Sequence, residues 1–270
     1  MNLGIIRKTT RDTLVLLLIV ILGITAFEML LVGMIGEFYE DSQLWLQKTF
    51  VQRFVKAMLG AELGVNAGAM GFVAIGFAHT LLYALTWALL LTTCSRVIAA
   101  EIEQGTADLL LTLPVSRASV YVSVSAVWIP AGVPVSLAVL LGTWIGASAF
   151  TLWEPLNYAR LAILTVNLFA LYLAIGSATM LVSSFLSRRA PAVAIVLACL
   201  LASFLLNFLG QFWSAFEHIS FLGILRYYRP LPVVQTGDWP VRDIAVLLGL
   251  GAILWSAGLW RFARRDIPAV

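Results

Sequence analysis

What most constrains this chain is a series of apolar runs, each long enough or nearly long enough to cross a bilayer. A helix needs ~20 apolar residues to span a ~30 Å hydrocarbon core. Six stretches meet or approach that length: 13–35, 72–94, 121–150, 161–186, 192–213 and 244–260. At that length the runs are read as membrane-spanning helices. The expected fold is all-α, one membrane domain over residues 1–270 with six transmembrane helices.

Composition agrees and excludes other classes. Of 270 residues 61% are hydrophobic and only 11% charged, where a soluble domain carries ~25% charged residues. Too little polar mass remains for a separate nucleotide-binding or external domain. The net charge of +3 comes from scattered bases, so no nucleic-acid surface is implied.

Two spans are irregular. The third contains Pro130 and Pro134, which remove backbone donors and predict a kink, or an interfacial turn before the span. The sixth is short unless it starts at Val241. The first follows Arg7, Lys8 and Arg11, but it is too long for a signal-peptide core and no small-x-small cleavage site follows it, so it is read as a span.

An even number of spans puts both termini on one side. That side would carry Arg7, Lys8, Arg11, Arg96, Arg117, Arg188, Arg189, Arg261, Arg264 and Arg265, against seven bases on the other. Its segments are also shorter, so its basic density is higher and both termini are expected in the cytoplasm. The setting is a multi-pass plasma-membrane protein, the inner membrane in a Gram-negative cell.

Two external stretches carry local signals. Residues 36–71 mix Glu37, Glu40, Asp41 and Glu62 with Lys48, Arg53 and Lys56 and read as an interfacial helix. Gly60, Gly64 and Gly68, like Gly142 and Gly146 in the third span, have the four-residue spacing of a close-packed helix seam. Residues 214–240 include Phe216, Ile219, Phe221, Leu222, Tyr227 and Tyr228, too apolar for a solvated loop. They predict one or two short re-entrant helices ended by Pro230 and Pro232, with Trp239, Tyr227 and Tyr228 at headgroup level.

Catalytic chemistry has little to build on. Only His79 and His218 are present, without H-E-x-x-H, a Cys/His cluster or G-x-S-x-G. Gly176-Ser177 has no identifiable partner, and Cys94 and Cys199 make no disulfide framework. Lys8, Lys48 and Lys56 each follow a residue other than glycine, so there is no G-x-x-x-x-G-K-[ST] loop for ATP. An intramembrane enzyme, or a structural membrane subunit uncoupled from ATP, remains the alternative reading. Within the spans Glu28 is the one deep acid, a structural partner or a pathway residue. Asn167 and Asn207 are candidates for helix–helix hydrogen bonds.

The strongest local signal lies between spans two and three. Glu101, Glu103 and Asp108 concentrate acid there; Gly105 can end one helix, Thr106 can cap the next, and Asp108 sits in its first turn. Leu109, Leu110 and Leu113 form an apolar stripe until Pro114 stops the helix. By itself this is a short amphipathic helix on the inner surface, showing acids to the cytosol.

The series Glu101-x-Glu103-x-Gly105-Thr106-x-Asp108-x-Leu110-Leu111-x-x-Pro114-x-Ser116-Arg117 resembles the cytoplasmic motif of type 2 ATP-binding-cassette (ABC) exporter permeases, and it falls between the same two spans. Ala107 and Asp108 replace the usual Leu-Glu, and the lysine often found soon after Ser-Arg is missing. The resemblance implies a permease subunit with no ATP site and no cofactor or metal of its own. ATP and Mg would be bound by a separate cytoplasmic ATPase, present in two copies. Glu101, Glu103, Gly105, Thr106, Asp108, Pro114 and Arg117 would form the coupling helix against it. A second permease copy or a homologue would complete the translocation path, and the apolar segment before the last span matches the family's external re-entrant helices. The family moves lipids, glycans, peptides, drugs and metalloenzyme maturation factors, and nothing in these spans selects among them.

Overall fold

The computed structural model describes residues 1–37, 48, 51–52, 68–95, 116–210, 213, 216 and 218–265. The acidic element 101–114 and most of the external stretch 36–67, including Gly60 and Gly64, lie outside the described residues.

The described elements are helical: α1 (Leu3–Glu37), α2 (Ala69–Phe77), α3 (Thr80–Ser95), α4 (Arg117–Ala149), α5 (Tyr158–Phe185) and α6 (Arg189–Leu209), then 3-10 turns at Ser220–Leu222 and Ile224–Tyr227, α7 (Pro230–Thr236) and α8 (Val241–Ala263). Six of the described stretches are long and apolar enough to cross a membrane, with α2 and α3 together making one. Their order and number match the six apolar runs. Each helix starts before its apolar run, whereas α4, α5 and α6 stop short of the run's C-terminal end.

The most extensive packing is α1 along α4 and α8 along α5. Helix α5 is the core, 72% of its most apolar window being buried against 22% for α1, α6 and α8. Those outer helices turn faces such as Leu14, Leu18 and Leu22 of α1, or Leu201 and Leu205 of α6, away from the bundle. In a bilayer such faces meet lipid or another subunit without the penalty they would carry in water.

Three expectations change. The third span is one continuous helix of 33 residues with Pro130 and Pro134 inside it; it has neither an interfacial turn nor a second segment. The backbone groups that a proline frees are costly in lipid unless helix persists around them, and neighbouring helices supply partners. The Tyr172 hydroxyl donates to the Trp128 carbonyl (2.8 Å), which ties α5 to α4 beside Pro130; the carbonyls that the prolines free are those of Ala126 and Pro130.

The second span is broken, which composition did not predict. Helix α2 ends at Phe77, where Ala78 and His79 donate back to the Ile75 and Gly76 carbonyls. Helix α3 restarts with the Leu81 amide donating to His79 Nδ1 (3.1 Å). The Tyr228 hydroxyl reaches across to the Phe77 carbonyl (3.0 Å). The break therefore leaves these groups satisfied, as a buried interruption requires.

In the last connection the prolines begin a helix instead of ending one. Pro230 and Pro232 lie in the first turn of α7, which Gly237 closes at φ 76°. A proline in the first helical turn loses no intrahelical bond and presets φ, and the left-handed Gly237 stops the helix at no steric cost. Leu225, Tyr228, Leu231 and Val234 of this connection are buried, and α7 packs on α2 and α5.

Candidate functional site

Helix α1 approaches α4 over small residues. A Cβ on Gly142 would come within 2.7 Å of Glu28 Cβ, and one on Gly146 within 2.8 Å of Val32 Cβ. One turn earlier, Thr25 Oγ1 donates to the Ala138 carbonyl (3.4 Å). The glycine spacing in the third span is thus a real seam, and its partner is the first span. Gly68, last of the other glycine series, faces Glu154, whose carboxylate accepts from the Ala69 amide at the start of α2 (3.2 Å).

Glu28 sits where α1 meets both α4 and the broken second span. It is fully buried, and neither carboxylate oxygen has a hydrogen-bond partner among the described residues. A Cβ on Gly76 would overlap Oε2 and come within 2.7 Å of Leu31 Cδ2. The neighbouring Phe27 ring lies 4.6 Å from the ring of His79 at the break. Tyr228 completes the junction, 6.3 Å edge-to-face from Tyr83. Burial pushes the Tyr228 phenol well above its ordinary range, and Tyr83 and Glu28 nearby push it further. An acid placed this deep without a partner is expensive, and such groups within spans mark functional positions.

Asn167 of α5 is also fully buried, with neither amide atom paired among the described residues, so the expected helix–helix hydrogen bond is not formed here. Asn207 is half-buried on the outer helix α6. Glu28, Asn167 and Asn207 occupy three different helices, and no hydrogen bond joins them. They do not assemble into one site.

The α4–α5 seam is built of aromatic rings over glycines. A Cβ on Gly132 would lie 2.5 Å from the Tyr172 ring, and one on Gly176 would overlap Trp128. On its bilayer side α4 shares with α1 and α5 an apolar groove of about 540 Å³ lined by Ile21, Pro134, Leu137, Leu141, Trp144 and Tyr158.

At the opposite end of the bundle the helices flanking the acidic motif are fixed to their neighbours. Ser116 caps α4 by accepting from the Ser119 amide (3.2 Å), and Arg117 opens that helix. The Asn2 amide donates to Ser123 Oγ (2.8 Å), the Tyr121 hydroxyl to the Trp255 carbonyl (3.2 Å), and Trp255 Nε1 to Ser125 Oγ (2.8 Å). Arg189 Nε donates to Ser95 Oγ at the end of α3 (3.3 Å). Both termini of the described bundle therefore lie at this end, beside the points where the chain leaves for and returns from residues 96–115. Of the motif, Arg117 is described; Glu101, Glu103, Gly105, Thr106, Asp108 and Pro114 lie outside the described residues.

No group of three or more His, Cys, Asp or Glu that could hold a metal ion occurs among the described residues. Gly76, which sequence reasoning passed over, and Tyr228, expected at headgroup level but buried against the break, define the Glu28 junction. The available signal was a histidine, His79, three residues past a glycine inside an apolar run.

A family model described as ABC-2 family transporter protein matches residues 6–267, nearly the whole chain. No curated protein matches it.

Proposed function

The chain belongs to the ABC-2 family of transporter proteins, and on that premise we propose that it is the membrane-spanning permease subunit of an ABC exporter, driven by ATP hydrolysed on a separate cytoplasmic ATPase. The observation that carries the reading is the family match across 6–267, with the acidic motif at Glu101–Arg117 lying between spans two and three of six. Both termini and the motif face the cytoplasm in this reading. Two ATPase subunits and a second permease copy or homologue complete the machine, and ATP and Mg belong to the ATPase.

The packing supplies a route for coupling. The motif runs directly into Ser116 and the cap of α4, and α4 is a single rod of 33 residues, about 50 Å long at 1.5 Å per residue. Movement of Glu101, Glu103 and Asp108 by the ATPase would displace the end of this rod. Along its length the rod bears on α1 through Gly142 and Gly146 and on α5 through Trp128 and Gly132. Glu28 lies under the outer part of the same rod, where α1, α4 and the α2–α3 break meet. A push at the cytoplasmic end would thus reach the junction that holds the buried acid and open a path at the seam between permeases.

The test is co-purification with the ATPase encoded beside it, followed by ATP turnover of the complex with Glu101→Lys and Glu103→Lys. The expected result is a stable complex whose stimulated turnover falls in the variants while membrane insertion is retained. A chain that purifies without any ATPase would restore the enzyme and structural readings.

A further inference from the structure

The face that carries both termini concentrates arginine beyond what capping uses. Helix ends α4, α5 and α8 meet there: the Tyr121 ring, one turn past Arg117, lies 6.1 Å from Phe262 of α8. Arg265 is consumed internally, donating to the Ser184 carbonyl (3.2 Å), the Leu186 carbonyl (2.9 Å) and Ser187 Oγ, and so closing the C-terminus of α5. Burial lowers its pKa, and Arg261 and Arg117 nearby lower it further, as cations crowded together must.

Arg261 and Arg264 are held differently. The Arg261 guanidinium lies over Phe185, 5.2 Å from the ring centroid, and that of Arg264 over Trp260 at 4.6 Å. These rings are 53% and 57% exposed and end helices that cross the apolar layer. Each charge is therefore set on an aromatic plate at the bilayer-facing rim, where tryptophan favours headgroup depth. A guanidinium stacked by its face keeps its N–H edge for a planar or tetrahedral anion.

We propose that the rim formed by Arg261 over Phe185 and Arg264 over Trp260, backed by Arg117, binds the headgroup phosphate of an anionic phospholipid in the adjacent leaflet. The choice of lipid over a protein partner follows from the exposed rings. Phe185 and Trp260 face the position of acyl chains, and a phosphodiester above them meets both the apolar plate and the charged edge. The inference rests on the membrane-spanning reading and is independent of coupling to ATP.

The experiment uses the full chain purified in mild detergent from membranes holding both phosphatidylglycerol and phosphatidylcholine, with retained lipid measured by native mass spectrometry. Wild type is expected to keep phosphatidylglycerol in preference. Arg261→Gln with Arg264→Gln should lower that preference at least fivefold, since a direct charge-assisted hydrogen bond to the phosphate contributes more than about that factor. Arg7→Gln with Arg11→Gln removes the same charge from the same face and should change it little. Equal loss in both pairs would overturn the site in favour of a diffuse field, and so would a wild type without preference. Millimolar inorganic phosphate should not displace the lipid; displacement would mean that a free anion is the ligand. If the double variant is lost from the membrane, Trp260→Leu removes one plate with every charge kept, and an unchanged preference there would equally overturn the proposal. ATP turnover is not read, so failure here leaves the exporter reading standing.

Discussion

Gly142 of α4 lies directly beneath Glu28 of α1, so close that a single added carbon would come within 2.7 Å of the glutamate Cβ and 2.5 Å of the Thr25 carbonyl oxygen. That contact joins the helix leaving the acidic motif to the helix bearing the buried acid.

Gly142→Ala should therefore be destabilising, because the atom it meets is backbone and cannot swing away. A loss of about 1–3 kcal/mol is expected, as for other overpacked sites, with Gly146→Ala similar or slightly milder since Val32 and the Met29 carbonyl lie at 2.8 and 2.9 Å. Gly249→Ala is the control: nothing lies within 4 Å of its Cβ position, and it should be neutral or slightly stabilising. Thermal unfolding in detergent checks all three. Equal behaviour of Gly142 and Gly249 would remove the seam.

Tyr228→Phe takes away the hydroxyl that satisfies the Phe77 carbonyl at the break in the second span. The carbonyl is buried and would be left without that donor, at a cost of about 1–3 kcal/mol. The same unfolding assay should register it, and hydrogen exchange at residues 78–82 should rise. No change in either would mean the tyrosine does not hold the break.

Glu28→Gln keeps the volume that the junction with Gly76 and Gly142 accommodates and removes a buried acid that has no hydrogen-bond partner among the described residues. Stability should be unchanged or higher, while transport by the complex falls, the usual exchange when a destabilising group serves function. A variant as stable and fully active would remove Glu28 from the transport path and leave it a seam residue.

The sequence made the spans legible and their joints much less so. Apolar length alone marks six crossings, because lipid leaves the backbone no alternative. The spacing of Gly142 and Gly146 announced close packing, yet only the fold identifies α1 as the partner. Of the two outcomes that Pro130 and Pro134 allowed, the interfacial turn is excluded by the continuous helix, since lipid leaves the backbone little alternative to helix. The break at Ala78 was hidden because His79 and Thr80 are only a brief polar interruption in a long apolar run, and the residue that closes it, Tyr228, comes 151 residues later than Phe77. Pro230 and Pro232 read as stops because a sequence run does not say on which side of a proline the helix lies. The acidic motif was the reverse case, clear in sequence through its residue types and outside the described residues in structure.

The most direct test of the account is ATP turnover by the partner ATPase reconstituted in vesicles with wild-type chain, with Glu101→Lys and Glu103→Lys, and with no chain. The account predicts turnover that depends on the chain and drops to the level of ATPase alone in the charge-reversed variants, with equal amounts of protein in the membrane. Turnover indifferent to the chain, or to both reversals, would contradict it.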